Sequence, residues 1–160
     1  MADWNRTYDA NFKYDVAARP GGDQIKVCFS CGTCTAGCPV TDVDERFSPR
    51  RIIRQVLLGQ RAAVLSSELL WYCERCYACT AFCPQNVKFG DIMGALREMA
   101  VDEGYWPPEF IQRIRGVDRL AHSIRLDLVR AALESGADAG SASIETAAPI
   151  IEEKIKGTSV

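Results

Sequence analysis

The sequence predicts an all-α fold in which short helices pack about two cysteine loops. Three observations predict it. All eight cysteines fall into two runs of one spacing: Cys28, Cys31, Cys34 and Cys38 followed by Pro39, then Cys73, Cys76, Cys79 and Cys83 followed by Pro84. Apolar residues recur at helical intervals both between the runs and after the second one. The alternation of β-branched residues that a half-buried strand needs is missing from the segment between the runs.

The first 25 residues hold Trp4, Tyr8, Phe12 and Tyr14 with little helical order, and residues 1–21 of them form an N-terminal arm. The arm is either a strap over the protein's own core or an extended segment lying on a partner. Between the runs, Ser48 is an N-cap with Pro49 at the first helical position. Ile52, Ile53, Val56 and Leu57 share one face, and Gly59 ends that helix. A second segment from about Val64 carries Leu65, Leu69 and Tyr72 toward the next cysteine loop. After the second run Asp91 caps a helix with Ile92, Ala95, Leu96 and Met99 at 3.6 spacing, stopped by Gly104. Tyr105-Trp106-Pro107-Pro108 makes a rigid corner. Phe110, Ile111 and Ile114 predict a short helix closed by Gly116. Asp118 opens a longer one striped by Leu120, Ile124, Leu128 and Ala131. Residues 135–143 are rich in Gly, Ala and Ser and read as a linker. Residues 144–160 are a short helical arm or disordered. The expected organisation is arm 1–21, cysteine-loop domain 22–134, and linker with C-terminal arm 135–160.

Composition narrows the chemistry. The 160 residues suffice for one domain with arms, and the formal net charge of −2 without a basic tract excludes a nucleic-acid binder. No run of apolar residues is long enough to span a membrane, and residues 1–10 lack the apolar stretch of a signal peptide. A reducing, cytoplasmic setting is expected, where cysteines in such numbers serve as metal ligands rather than disulfides.

The spacing C-x2-C-x2-C-x3-C-P is the bacterial ferredoxin run. Three thiolates grip one 4Fe-4S cubane, and in two-cluster proteins the fourth ligates the other cluster. Two 4Fe-4S clusters are therefore expected, one held by Cys28, Cys31, Cys34 and Cys83, the other by Cys73, Cys76, Cys79 and Cys38. Gly32 and Gly37 ease the tight turns, and the proline after each fourth cysteine stops the loop from continuing as helix. Two four-thiolate zinc sites would also consume all the thiols. A third cysteine at equal spacing and a trailing Cys-Pro, both repeated, are not what tetrahedral zinc needs. Clusters of charge about −2 each would carry the chain to roughly −6. Arg46, Arg50, Arg51 and Arg54 offset that charge, bind an acidic partner, or form a solvated helix face. Tyr77 and Phe82 are expected to shield a cluster from water, and His122 to lie on a helix surface. No glycine-rich phosphate loop, Ser/His/Asp set or carboxylate pair is present. No catalytic residue is expected in this chain, which reads as a carrier of electrons.

Several stretches resemble the small C-type component of heterodisulfide reductase. They are Cys28-Phe29-Ser30-Cys31-Gly32-Thr33-Cys34-Thr35-Ala36-Gly37-Cys38-Pro39-Val40, Pro49-Arg50-Arg51-Ile52-Ile53-Arg54, Trp71-Tyr72-Cys73-Glu74-Arg75-Cys76-Tyr77-Ala78-Cys79, Cys83-Pro84 and Val87. The likeness covers roughly 22–134. It implies an α-helical ferredoxin relaying electrons from a flavin-bearing A-type subunit to a B-type subunit that reduces a disulfide. The cysteine-rich repeat of the B-type subunits is absent here, so the chain is the relay. Such A-type subunits commonly serve assemblies that bifurcate electrons at flavin, and the family commonly forms a dimer of heterotrimers. The terminal substrate in that family is the coenzyme M–coenzyme B disulfide, another disulfide, or something else. Helical ferredoxin modules also occur in iron–sulfur subunits of fumarate-reductase-like and glycerol-3-phosphate-dehydrogenase-like enzymes. The first type carries a 2Fe-2S domain ahead of its module, and neither that domain nor its cysteines are present in this sequence.

Overall fold

The computed structural model describes residues 8–134 and 144–156, so the expectations for Trp4, the linker and the last residues lie outside the described residues. The chain divides into two units, one ending at Pro107 and one beginning at Pro108. The first contains α1 (Phe12–Ala18), a 3₁₀ turn (Asp23–Val27), α2 (Thr33–Ala36), α3 (Pro39–Val43), α4 (Pro49–Leu57), α5 (Arg61–Leu65), a second 3₁₀ turn (Glu68–Trp71), α6 (Ala78–Ala81) and α7 (Phe89–Asp102). The second contains α8 (Glu109–Glu134) and α9 (Ile144–Lys156). Among the described residues there is no strand, and the fold is all-α.

The axis of the first unit is α7, which buries Phe89, Ile92, Met93, Ala95, Leu96, Met99 and Ala100. It packs against α1, α5, α6 and the second 3₁₀ turn. Its apolar stripe is the expected one, but its start is not. Lys88 caps the helix in the left-handed region, and Asp91 lies inside the first turn. There the carboxylate still meets the positive end of the helix, and it accepts the Tyr77 hydroxyl at 3.0 Å. Gly104, at φ +76, ends the helix as expected. Trp106 in the corner that follows donates its Nε1 to the Leu65 carbonyl at 3.0 Å and meets Trp71 edge to face at 5.5 Å.

Helix α4 forms as its sequence predicts. The Ser48 hydroxyl accepts the Arg51 amide, Pro49 occupies the first turn, and Ile52, Ile53 and Val56 are buried, with Leu57 only half-buried. Gly59 has φ +79, and a Cβ there would collide with the Asp9 backbone. The segment after α4 departs from expectation. At Ser66-Ser67 the helix breaks, and Ser67 Oγ accepts the Leu69 amide at 3.2 Å to start the 3₁₀ turn. The restart shifts the register, so Leu70 and Trp71 are buried while Leu69 and Tyr72 are only half-buried.

From residue 8 onward the N-terminal segment is a strap, helical over Phe12–Ala18 where little helical order was expected. Phe12 and Val16 on α1 are fully buried. Arg61 on α5 holds this strap with Nη1 at 2.7 Å from Asp9 and 2.6 Å from Asp15, while Nη2 reaches Glu103 at 2.7 Å. Partial burial works to raise the Asp9 carboxyl, yet the Asn11 amide and the Arg61 guanidinium hold it below the usual range.

In the second unit, α8 runs unbroken through Gly116 and Asp118 where two helices were expected. A helical glycine costs about 1 kcal/mol relative to alanine, and Gly116, outside the left-handed region, does not end the helix. Leu120, Ile124, Leu128 and Ala131 form the half-buried stripe, and His122 is exposed. The helix α9 packs on α8, with Lys154 Nζ 2.8 Å from Asp127.

Candidate metal centre

Both cysteine runs adopt one backbone form. The residue two places after the first cysteine is left-handed in each (Ser30 at φ 60, Arg75 at φ 54), and so is the residue after the second cysteine (Gly32 at φ 92, Tyr77 at φ 62). These reversals turn successive thiols inward before the loops close into α2 and α6. Only glycine takes that conformation freely; the other three positions each cost on the order of 1 kcal/mol. Tyr77 is held there on three sides. Its hydroxyl accepts from Arg75 Nη2 at 2.8 Å and donates to Asp91, and its ring lies where a Cβ on Gly90 would stand 3.2 Å away. The first loop is pinned to the start of α4, where Thr35 Oγ1 accepts the Arg50 amide at 3.0 Å.

The glycines of the first loop act differently from one another. Gly32 uses its conformational freedom, whereas Gly37 has an ordinary φ of −101. Gly37 is needed because the Phe82 ring of the second loop would stand 2.7 Å from a Cβ there. Pro39 does more than end the first loop, since it opens α3 at its first position with Cys38 as N-cap.

Two cavities result. The first, about 400 Å³ of space partly open to solvent, is lined by Cys28, Cys31, Cys34 and Cys83, with Cys79 as a fifth thiol. The second, about 330 Å³, is lined by Cys38, Cys73, Cys76 and Cys79. The fourth cysteine of each run thus faces the cavity of the other run. Cys79 and Phe89 line both cavities and form the wall between them. All eight cysteines are free thiols.

Thiols dominate the donors, the soft set that suits iron–sulfur centres, with Thr33 and Gln85 also lining the first cavity and Glu74 the second. Burial pushes the Cys34 thiol up to about 11, with the neighbouring Cys28, Cys79 and Cys31 adding to the effect. Burial likewise pushes Cys73 up to about 11 against the opposing pull of the Arg75 amide and Arg97, and it raises Cys79. Cys31 is the exception; exposed and beside the Thr33 hydroxyl, it is lowered. Crowded buried thiols resist ionising together, and a cationic iron–sulfide core is what stabilises them as thiolates. The residues present fit such a group. Amides also point at sulfur: Ser30 N–H meets Cys28 Sγ and Val87 N–H meets Cys83 Sγ, each at 3.4 Å.

Sequence reasoning missed two residues here. Arg97 is only 7% exposed; its Nε donates to the Leu70 carbonyl at 2.8 Å and its Nη2 to the Cys73 carbonyl at 2.7 Å. Its guanidinium lies 5.4 Å from the Trp71 ring centre. The signal was a cation within the apolar register of α7, four residues after Met93. Phe89 was missed because it precedes the expected helix start; it meets Phe47 edge to face at 6.4 Å. Of the expected accessory residues, Tyr77 lines the second cavity and Arg50 the first, while Phe82 lines neither of these two. Arg46 turns away to Asp44, Glu68 and Tyr72.

A family model described as a 4Fe-4S dicluster domain matches residues 24–87. The chain is 36% identical over 100 residues to the C component of the H2:CoB-CoM heterodisulfide,ferredoxin reductase from Methanothermobacter thermautotrophicus, covering 62% of this chain and 53% of that protein. It is 42% identical over 80 residues to the iron–sulfur component C 2 of the CoB–CoM heterodisulfide reductase from Methanocaldococcus jannaschii, covering 50% and 42%. To the C component of the ferredoxin:CoB-CoM heterodisulfide reductase from Methanosarcina mazei it is 36% identical over 109 residues, covering 68% and 66%. The chain belongs to the family of C-type heterodisulfide reductase subunits. It spans about half the length of the first of these curated relatives, and 42% to 66% of the other two. The segment matched by the dicluster model takes in both cysteine runs and the Val87 amide. Among the described residues of this heterodisulfide reductase homologue, no helix is long and apolar enough to cross a membrane.

Proposed function

We propose that the chain is the electron-relay subunit of a cytoplasmic heterodisulfide-reductase-like complex. It holds two 4Fe-4S clusters, one on Cys28, Cys31, Cys34 and Cys83 and the other on Cys73, Cys76, Cys79 and Cys38. It takes electrons from a flavin-bearing A-type subunit and passes them to a disulfide-reducing B-type subunit, in a dimer of heterotrimers. The reading of a bifurcating assembly draws support from the Methanothermobacter relative, whose name couples the heterodisulfide with ferredoxin. The observation that carries the proposal is the sorting of thiols across runs, with Cys83 on the first cavity and Cys38 on the second.

When bound, the clusters supply one-electron centres whose potentials follow sulfur hydrogen bonding, charge and solvent exposure. The chain's own residues set those conditions. The Ser30 and Val87 amides donate to sulfur. Phe47 and Phe89, both buried, keep water from the inner walls. Arg97 fixes the Cys73 carbonyl where the second run begins, and Arg50 brings a positive charge to the first cavity.

Anaerobic reconstitution tests the reading. About eight irons and eight acid-labile sulfides per chain are expected, in a brown protein that bleaches with dithionite. The crossed ligation is read by spectral equivalence. Cys38→Ala and Cys76→Ala should leave the same residual reduced EPR signal, and Cys83→Ala should match Cys31→Ala. If Cys38→Ala matches Cys31→Ala instead, each run holds its own cluster and the pairing is wrong. A colourless protein carrying zinc would refute the relay altogether.

A further inference from the structure

We propose that the face of α4 bearing Arg50, Arg51 and Arg54, together with Phe29, is the docking surface for an acidic redox protein seated over the first cavity. The proposal rests on the relay reading above. The first observation is that these cations are uncommitted. In the same unit Arg19 pairs with Asp102, Arg46 with Asp44, Arg61 with three carboxylates and Arg75 with Asp91. Among the described residues, the guanidinium groups of Arg50, Arg51 and Arg54 make no ion pair, and Arg51 and Arg54 are exposed.

Their position is also unfavourable for the helix itself. Two of them stand in the first turn of α4, which contains no acidic residue, where the helix dipole disfavours cations. Arg50 and Arg54 are four apart and Arg51 and Arg54 three apart, so like charges neighbour one another on one face. Local rules broken in this way, with no gain inside the fold, point outward to function.

The cavity beside them lacks a tyrosine in its lining, where the second has Tyr77. Gly32 occupies the loop position that Tyr77 fills in the second loop, so no phenol covers the first cavity. Phe29 lines that cavity with Arg50 and is 59% exposed. An apolar ring at the mouth with cations beyond it matches a partner whose apolar centre is rimmed by carboxylates. Compensation of cluster charge alone does not account for the set, because only Arg50 lines the cavity.

The test uses the full, cluster-loaded chain with Arg51→Glu/Arg54→Glu, and with Arg51→Gln/Arg54→Gln as the milder variant. The probes are the A-type and B-type subunits of the same host, purified separately, with binding rates read at about 50 and about 300 mM salt. We expect one subunit to bind the wild type with an on-rate that falls steeply with salt. The Glu variant should weaken that binding by at least about tenfold and flatten the salt dependence, and the Gln variant should fall between. Iron content and visible spectrum should not change. An iron-loaded variant that binds both subunits like the wild type overturns this proposal alone. So does loss of binding only to vesicles of anionic phospholipid, which would make a membrane the occupant. A chain that takes up no iron refutes the relay reading first, and this proposal with it.

Discussion

Replacing Arg97 with methionine removes a buried cation from the point where the second cysteine run begins, while roughly keeping the side chain's length and packing. The structure sets the size of the effect. Two hydrogen bonds from the guanidinium are lost, to Leu70 O at 2.8 Å and Cys73 O at 2.7 Å. A bond from a charged donor contributes about 1.5–3 kcal/mol, and the contact with the Trp71 ring adds about 1 kcal/mol. Methionine packing recovers part, leaving a net loss of roughly 4 kcal/mol, a large share of the 5–15 kcal/mol that holds a typical domain. For a unit of this size about 1 kcal/mol shifts the melting midpoint by about 4–8 °C, so the bleaching of visible absorbance on anaerobic heating should move down by at least about 15 °C. A second readout separates charge from packing. Loss of the cation near Cys73 should shift the reduction potential of the second-cavity centre downward and leave the first unchanged. Arg97→Lys keeps the charge but not the fork, and should restore the potential more fully than the midpoint. A methionine variant that melts within about 3 °C of the wild type would show that the two carbonyls do not depend on Arg97.

Three further outcomes are expected. Gly37→Ala should cost about 1–2 kcal/mol because its Cβ meets the Phe82 ring, and the cost should vanish in a Phe82→Ala background, read as coupling in a double-mutant cycle of denaturation midpoints. Gly116→Ala should stabilise α8 by about 1 kcal/mol, since nothing lies within 4 Å of the added methyl; circular dichroism during urea titration measures it. Asp127→Asn should speed amide exchange in α9 at neutral pH by removing the Lys154 contact. Asp127 is held below its usual range by the Lys154 hydrogen bond and then by charge from Lys154 and Arg130. Its contribution is therefore present at neutral pH and lost as pH falls through the folded value, so wild-type α9 should loosen, after correction for intrinsic exchange rates, only below about pH 4.

Much of the fold was legible because its signals were local. Ser48-Pro49 announces the start of α4, and the stripe of Ile92, Ala95, Leu96 and Met99 announces α7. Where tertiary contacts outweigh local preference, the reading slipped. Gly116 and Asp118 look like a stop and a start, yet α8 passes through both, since a continuous stripe from Ile114 to Ala131 outweighs one glycine. Asp91 looks like a cap, but its carboxylate instead receives the Tyr77 hydroxyl from another loop. The cysteine loops were legible from spacing alone. Arg97 and Phe89 were not, because their roles depend on carbonyls and cavities assembled from segments more than a dozen residues away.

The partition of Cys79 and Phe89 belongs to both chambers. Any change made there, in volume, polarity or charge, is delivered to both neighbours together, so the pair cannot be tuned apart from this wall. Independent adjustment has to come from elsewhere: Arg50 and Phe29 line one chamber alone, Tyr77 and Arg75 the other, and Arg97 stands behind Cys73.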